Sequence, residues 1–480
     1  MATTKSSEKK GNLGLLQLTG LVVGSIIGAG VFNLMSNISA GASLMAITIG
    51  WGITGLGMLF LALCFQNLTK KRPDLDAGIY SYAQAGFGKY MGFNSAWGYW
   101  ISAWIGNVAY ATLLFSSVGY FFKVFGDGQN LPSVIGASIL LWVVNFLVMR
   151  GMKTASVVNM LITAAKLIPI AIFLLAAFVA FKLNIFTSDI WGTASKGFEF
   201  SDVLDQVMST MLVTVWVFIG IEGAVVFSGR AKNKANVARA TFLGLFTVTA
   251  IYFLVTALSL GLKTRPELAE LGQPAMATLL ESVVGSWGAV LINIGVVISI
   301  TGAWLAWTMF ATELPYQAAK KKAFPSYFAK VNAKGVPVVS LLVTNVLIQA
   351  FLLLFLTPIK AYDFMYSLAT SAILLPYAFT AFYQLKLSAA EKAAAPGRMR
   401  NIIIGVVASL YAIWLVYAAG LDYLLLTVLL YTPAIVVYVL MQIKNREKIF
   451  TAKEFLAAGV LVALCVFCLY RIMNGDLSVI

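Results

Sequence analysis

The sequence predicts an all-α, polytopic membrane protein with about 13 transmembrane helices. Of its 480 residues, 60% are hydrophobic and only 11% are charged, which is too little polar surface for a soluble protein of this length. Apolar runs of about 18–25 residues, the length that a helix needs to cross a bilayer, recur along the whole chain. The short or alternating apolar runs that are typical of β-sheet and α/β proteins do not account for this pattern.

The apolar runs divide the chain into spans joined by connections that are too short to hold a soluble domain. We expect residues 1–12 to form a cytoplasmic N-terminal tail, residues 13–385 a ten-helix core and residues 386–480 a set of C-terminal accessory transmembrane helices. The predicted spans are 13–34, 43–68, 92–122, 132–149, 156–181, 204–229, 239–262, 285–312, 337–356, 361–385, 401–420, 422–442 and 455–473.

The distribution of charge supports this division. The chain has 34 Lys and Arg and a formal net charge of +15, and most of the basic residues fall in alternate loops, such as 70–72 and 320–322. This is the positive-inside pattern of a membrane protein with a cytoplasmic N-terminus, so we expect no nucleic-acid partner. The chain has no His, and its three Cys lie inside apolar runs, so we expect no metal site, no cofactor and no disulfide framework.

Two spans contain glycine clusters that disfavour a continuous helix. The first span contains residues 24–30 (GSIIGAG) and the sixth contains residues 216–223 (WVFIGIEG). Each Gly weakens a helix by about 1 kcal/mol relative to Ala, although Gly24 and Gly28 alone also fit close helix packing. Because the two spans hold matching positions in two five-helix halves, we predict an inverted repeat with broken first and sixth helices and a site at the membrane midplane.

Two charged residues lie deep inside predicted spans. Glu222 is the acidic residue nearest the middle of a span, where a carboxylate must be paired, protonated or hydrated. We interpret it as a counter-ion for a cationic substrate or as a titrating gate, with satisfaction by neighbouring helices as the structural alternative. Lys166 lies about ten residues inside the fifth span, too deep for simple snorkelling. Its ammonium can occupy the place of a bound cation, which would make Na⁺ unnecessary.

Aromatic and amide side chains provide further candidates. Trp216 lies one turn before the glycines of the sixth span, and Trp304 and Trp307 share a face of the eighth. Aromatic faces bind amines and guanidinium groups by cation–π contact, although each Trp taken alone is as well explained by core packing. Asn107 is a midspan amide, for which an interhelical hydrogen bond and a substrate contact are both open.

Several of these segments resemble motifs of the basic amino acid/polyamine antiporters, a family within the amino acid–polyamine–organocation superfamily. Residues 23–32 resemble the first-helix motif of the family, and residues 100–107 its third-helix motif. Residues 216–222 and 305–307 resemble the sixth- and eighth-helix motifs. Within the family, segments 73–78, 86–93 and 220–224 are most similar to the bacterial arginine–ornithine antiporters, and the overall resemblance covers residues 12–385.

The resemblance implies a LeuT-type transport core and sodium-independent exchange of extracellular arginine for intracellular ornithine. It also implies roles for individual residues. The backbone at Ile26, Gly28, Ala29 and Gly30 would bind the substrate carboxylate and amine, while Trp216 and Glu222 would serve as gates and Lys166 would replace a sodium ion. Side-chain contacts with the substrate are implied for Asn107, Trp216, Ile219, Glu222, Trp307 and Ser367.

Other assignments stay open at this stage. Arginine–agmatine exchangers have a Ser where this chain has Ala29, and a histidine–histamine exchanger, a lysine–diamine exchanger or a proton-coupled symporter would share the same motifs. A channel would need rings of like charge, and a membrane enzyme would need a nucleophile–base pair or a metal cluster. The sequence shows neither pattern, so we expect no enzyme activity. The expected location is the bacterial cytoplasmic membrane, with lipid and a second copy of the chain as partners.

Overall fold

The computed structural model describes residues 15–75, 79–151, 166–192, 197–221, 234–356 and 361–477. Over these ranges the chain is helical and has no β-strand, apart from one isolated bridge between Val331 and Pro337. The α-helices are α1 (Leu15–Ile26), α2 (Leu34–Gly41), α3 (Leu44–Lys71), α4 (Ile79–Phe87), α5 (Lys89–Phe121), α6 (Leu131–Met149), α7 (Leu167–Val179), α8 (Leu183–Phe186), α9 (Phe200–Phe218), α10 (Lys234–Ser259), α11 (Arg265–Ala269), α12 (Ala275–Val284), α13 (Ser286–Lys320), α14 (Val338–Leu352), α15 (Ala361–Ala389), α16 (Arg398–Ala418), α17 (Leu421–Asn445) and α18 (Ala452–Met473).

Every predicted span overlaps a helix in the described part of the chain. Nine of the described helices are long and apolar enough to cross a membrane. The four other predicted spans correspond to α1 together with α2, to α7, to α9 and to α14. Residues 156–165, the first part of the fifth predicted span, lie outside the described residues. The predicted class, an all-α polytopic membrane protein, is confirmed.

Several helical segments were not predicted. The prediction left loops where α4 and the ten-residue α12 form, because neither is long enough to give the apolar signal of a span. The eighth span was predicted to end at residue 312, but α13 continues to Lys320. A helix does not need to end where the bilayer ends, so an apolar run locates the membrane better than it locates a helix terminus.

Helix α5 forms the centre of the bundle. In its most apolar 18-residue window, 94% of residues are buried, compared with 11% in α18. The centre is also less apolar than the periphery, because polar residues of a membrane protein are stabilised against other helices rather than against lipid. Helices α13 and α15 pack directly against α5. Polar side chains on α5 are therefore held in the interior of the protein.

The C-terminal helices are attached to this centre by tyrosines that fill glycine notches. The Tyr411 ring of α16 occupies the space that a side chain at Gly57 would need, and Tyr431 of α17 does the same at Gly98 of α5. The Tyr431 hydroxyl also donates a hydrogen bond to the Ala372 carbonyl of α15, at 2.8 Å. Glycine thus allows close helix approach, and the hydroxyl is satisfied inside the bundle.

Glu454 makes a second attachment, because its carboxylate caps two helices at once. One oxygen accepts a hydrogen bond from the Tyr90 backbone N–H at the start of α5, at 2.9 Å. The other accepts from the backbone N–H and hydroxyl of Thr451, the N-cap residue of α18, both at 2.9 Å. A carboxylate at a helix N-terminus satisfies unpaired N–H groups and interacts favourably with the helix dipole. Glu454 therefore ties the last helix to the central one.

Replacing Glu454 with Gln should destabilise the protein by about 1–3 kcal/mol, because the amide lacks the charge and one of the two acceptors. The measurement is thermal unfolding of the purified protein in detergent. The matched control is Glu447→Gln, which removes an ion pair with Lys89 at 2.7 Å that is largely exposed and should contribute less than about 1 kcal/mol. Equal destabilisation by the two variants would show that Glu454 is an ordinary surface charge.

Candidate functional site

The first predicted break is present between α1 and α2. Helix α1 ends at Ile26, and a short 3₁₀ turn over Gly30–Phe32 precedes α2. The last carbonyls of a helix have no partner within it, and here other helices supply the partners. The Lys166 ammonium donates to the Gly24 carbonyl at 2.7 Å, and the Tyr252 hydroxyl lies 3.3 Å from the Ile26 carbonyl oxygen.

Between the end of α1 and the start of α2, backbone N–H groups are available to a ligand. Within the described part of the chain, the N–H groups of Gly28, Ala29 and Gly30 have no hydrogen-bond acceptor. They precede the N-terminus of the eight-residue α2, which carries a positive partial charge from the helix dipole. Free N–H groups beside a helix N-terminus are a suitable site for an anion such as a carboxylate. Ala29 and Gly30 are buried, so water does not compensate them fully.

The second predicted break begins at the end of α9. The helix ends at Phe218, Ile219 has an extended ψ of 128° and Gly220 has a φ of +112°, a conformation that favours glycine. Ile219 is buried at this turn. Glu222 and the rest of the sixth predicted span, through residue 229, lie outside the described residues.

Tyr252 of α10 connects the two breaks. Its hydroxyl lies 3.0 Å from the Val217 carbonyl oxygen of α9 and 3.3 Å from that of Ile26 in α1. A hydroxyl has one hydrogen to donate, so the two carbonyls share it. Trp51 and Phe218 pack against the Tyr252 ring, with centroids 5.7 and 5.8 Å away. The end of α1 and the end of α9 are therefore held together at one atom.

Trp216 lies directly on the first break. A Cβ at Gly30 would be 3.0 Å from the indole nitrogen of Trp216, and a Cβ at Gly106 would be 3.3 Å from the far edge of its ring. The rings of Tyr110 and Tyr366 lie 5.7 and 6.1 Å from Trp216. The indole thus occupies a slot between the first break and α5 that only glycine leaves open.

Asn107 and Trp307 lie on the facing helices α5 and α13. The Asn107 amide donates to the Thr308 hydroxyl at 3.3 Å, so the interhelical hydrogen bond expected for Asn107 is present. Its carbonyl oxygen is buried and has no partner in the described residues, and that acceptor is available to a ligand. Trp307 interacts with the Tyr110 hydroxyl, which places both tryptophans around Tyr110.

Ser367 lies in a different place, on the wall of a cavity of about 830 Å³. The cavity is formed by α2, the C-terminal end of α5, the segment from α11 to α12, and the N-terminal parts of α13 and α15. Tyr366 also lines it, and the Tyr366 ring contacts Trp216. The cavity therefore leads from the protein surface to the aromatic side chain that lies on the first break.

A comparison with known proteins places the chain in a family. A family model for amino acid permeases matches residues 13–465. The chain belongs to the amino acid permease family. It is similar to the arginine/ornithine antiporters of Pseudomonas aeruginosa, with 46% identity over 98% of this chain and 100% of that protein, and of Latilactobacillus sakei, with 42% over 97% and 98%. It is 40% identical to the arginine/agmatine antiporter of Chlamydia caviae, over 95% and 96%. These relatives are named as transporters and not as enzymes.

In this permease, sequence reasoning missed three tyrosines of the site, Tyr110, Tyr252 and Tyr366. A signal for two of them was present. Tyr110 is three residues after Asn107 and so lies on the same helix face, and Tyr252 is a hydroxyl within the seventh predicted span, where it must find a partner inside the protein. Which backbone atoms Tyr252 reaches depends on how α10 packs against α1 and α9, and no local pattern encodes this.

Substitution of Gly30 by Ala should destabilise the permease by about 1–3 kcal/mol, the usual cost of overpacking. The added methyl group would lie 2.7 Å from Val217 and 3.0 Å from Trp216, and it would push the indole out of its slot. Thermal unfolding in detergent measures the effect. Gly52→Ala is the control, because a Cβ at Gly52 meets nothing within 4 Å and should leave stability unchanged or slightly higher. Equal unfolding temperatures for both variants would contradict the tight slot.

Proposed function

We propose that this permease is an antiporter that exchanges cationic amino acids, with extracellular arginine entering as intracellular ornithine leaves. One observation carries the proposal: the ends of α1 and α9 meet at a buried site, and the backbone there presents groups of opposite polarity to the same region. An α-amino acid has a carboxylate and an ammonium group on one carbon, and a site with both polarities matches both groups.

In this proposal the carboxylate binds the N–H groups of Gly28, Ala29 and Gly30, which have no acceptor in the described chain. The ammonium group binds the carbonyl end of α9 at Phe218 and Ile219, where a helix C-terminus carries negative partial charge. Ala29 offers no hydroxyl, so the carboxylate depends on backbone donors. Trp216 covers the bound substrate, because its indole lies directly beside Gly30.

The distal part of the substrate would face α5 and α13. Trp307 supplies an aromatic face for a guanidinium or ammonium group, a contact that contributes about 0.5–2 kcal/mol. The Asn107 carbonyl oxygen lacks a partner in the described residues, and it can accept from a guanidinium N–H. These two groups favour a long cationic side chain. The arginine/ornithine and arginine/agmatine names of the relatives support the same substrate class.

Exchange by alternating access requires the site to open on each side in turn. The contact between Trp216 and Tyr366 closes the inner end of the cavity, and we assign this pair as the gate on the cavity side. Ser367, on the cavity wall, contacts the substrate as it passes. We assign Glu222 to gating as well, on the basis of its place in the sixth predicted span, and Ile219 to the substrate contact at the end of α9.

Sodium independence follows from Lys166. Lys166 is 5% exposed, and its ammonium donates to the carbonyl of Gly24 in the last turn of α1. A fixed cation at a helix C-terminus neutralises the negative end of the dipole, which is the work that a bound sodium ion would otherwise do. The C-terminal end of α1 is therefore stabilised without a metal ion.

The distribution of Lys and Arg supports a bacterial cytoplasmic membrane location with the N-terminus inside. The cavity then opens to the outside, because Lys320 at the far end of α13 lies on the basic side. Residues 13–385 form the transport core, and the C-terminal helices are accessory to it. The most peripheral of them, α18, is a suitable contact for lipid or for a second copy of the chain.

Counterflow in proteoliposomes tests the proposal. Vesicles loaded with ornithine should accumulate labelled arginine, empty vesicles should not, and replacing Na⁺ with choline should leave the rate unchanged because Lys166 substitutes for the ion. A panel of internal lysine, histidine, agmatine and histamine defines the exchange pair. Equal uptake into empty vesicles would contradict exchange, and a requirement for Na⁺ would contradict the role of Lys166.

A further inference from the structure

The charged residues that line the cavity at Tyr366 are all acidic. Four carboxylate residues line it and no Lys or Arg does, among the described residues of the wall. The four are Asp127, Glu270, Glu281 and Asp363. Glu270 and Glu281 are exposed at the end of α11 and on α12, while Asp363 accepts a hydrogen bond from Asn37 at 3.2 Å.

A residue with a buried, unpartnered acceptor lines the same cavity. Asn293 lines the wall and is 1% exposed. Its amide nitrogen donates to the Ala289 carbonyl at 2.9 Å, but its oxygen has no hydrogen-bond partner in the described part of the chain. A buried polar atom without a partner is costly unless a water molecule or a ligand satisfies it. The oxygen can only accept, so it needs a ligand with N–H or O–H donors.

The chemistry of this lining selects an organic cation. Carboxylates and an amide oxygen are acceptors, and they match the donors of an ammonium or guanidinium group. The described residues contain no group of three or more His, Cys, Asp or Glu that could hold a metal ion, so the carboxylates are too dispersed to chelate one. An ammonium or guanidinium group on a flexible chain can contact several of them.

The position of Asn293 separates this region from the site at the helix breaks. Asn293 precedes Trp307 by fourteen residues on α13, which corresponds to about 21 Å along the helix axis. Tyr366 lies between the two regions, since it lines the cavity and contacts Trp216. A molecule held near Asn293 is therefore outside the gate.

We propose that the outer cavity is a second, transient binding site for the cationic substrate, in which Asn293 and the carboxylates of Glu270 and Glu281 hold its ammonium or guanidinium group before the gate opens. This inference rests on the proposed exchange of cationic amino acids. An acidic cavity raises the local concentration of a cation and speeds its association, and the effect weakens as salt screens the charges.

The double variant Glu270→Gln/Glu281→Gln tests the carboxylates. At low ionic strength it should raise the KM for external arginine by roughly threefold or more without changing the maximal exchange rate, because electrostatic attraction acts on association. Wild-type KM should rise with added choline chloride, and the KM of the variant should rise less, because only Asp127 and Asp363 remain in the lining. The matched control is Asp205→Asn, which neutralises an exposed carboxylate that does not line the cavity. Asp205 lies at the same end of the protein as the cavity. The side chain of the adjacent Gln206 accepts a hydrogen bond from the Ser43 backbone N–H. The Ser43 hydroxyl in turn accepts one from Arg265, at the start of α11.

The buried acceptor has its own pair of variants. Asn293→Leu removes the oxygen at similar volume and should raise KM, whereas Asn293→Asp keeps an oxygen, adds a negative charge and should lower it. If Asn293→Leu does not fold, the Glu270→Gln/Glu281→Gln variant and Asn293→Asp still test whether the outer cavity binds the substrate.

The outcomes separate this inference from the proposed function. If wild-type protein exchanges arginine while the double variant and Asn293→Asp retain wild-type KM and salt dependence, the outer site is refuted and the exchange function stands. If wild-type protein exchanges no cationic amino acid, the proposed function fails. Calorimetry with L-arginine and with agmatine then compares wild type with the double variant: weaker, salt-insensitive binding by the variant supports the outer site, and equal binding refutes it.

Discussion

The site depends on one hydroxyl group, that of Tyr252, which is shared between the carbonyls of Val217 and Ile26 at 3.0 and 3.3 Å. A helix that stops inside a membrane exposes carbonyls that lipid cannot satisfy. Two such helices stop here, at Ile26 and at Phe218. A single donor shared by the Ile26 and Val217 carbonyls holds the two ends together. Lys166 completes the arrangement, because it bonds to Gly24 one half-turn earlier.

Other features of the site follow from this junction. Because the ends of α1 and α9 are held together, Trp216 in the last turn of α9 lies on Gly30, and a side chain at Gly30 would collide with it. The same packing brings Tyr110 of α5 against Trp216. It also leaves the N–H groups of residues 28–30 without acceptors in the described chain. Backbone donors beside a helix N-terminus suit an anion such as the proposed substrate carboxylate.

The sequence predicts the features that depend on local interactions, and it misses those that depend on contacts between distant segments. The spans were predicted because a bilayer imposes a length on every helix, and both breaks because glycine weakens a helix locally. The motif resemblance also brought Trp216 and Gly30 into one site. Tyr252 was missed because its partners are backbone atoms of two distant helices. The acidic lining of the cavity was missed because its carboxylates come from four separate segments. Helix α12 was missed because it is too short to resemble a span. The role of Glu222 stays a prediction, since that residue lies outside the described ranges.

The most direct test of the account is the affinity for L-arginine after removal of the Tyr252 hydroxyl. Tyr252→Phe should weaken equilibrium binding at least about tenfold, or about 1.4 kcal/mol, because the two helix ends lose their common donor. Tyr431→Phe removes a hydrogen bond to the Ala372 carbonyl of α15, which belongs to neither α1 nor α9, so it should retain wild-type affinity with some loss of stability. If Tyr252→Phe binds arginine as tightly as the wild type, the junction of the two helix ends does not form the substrate site.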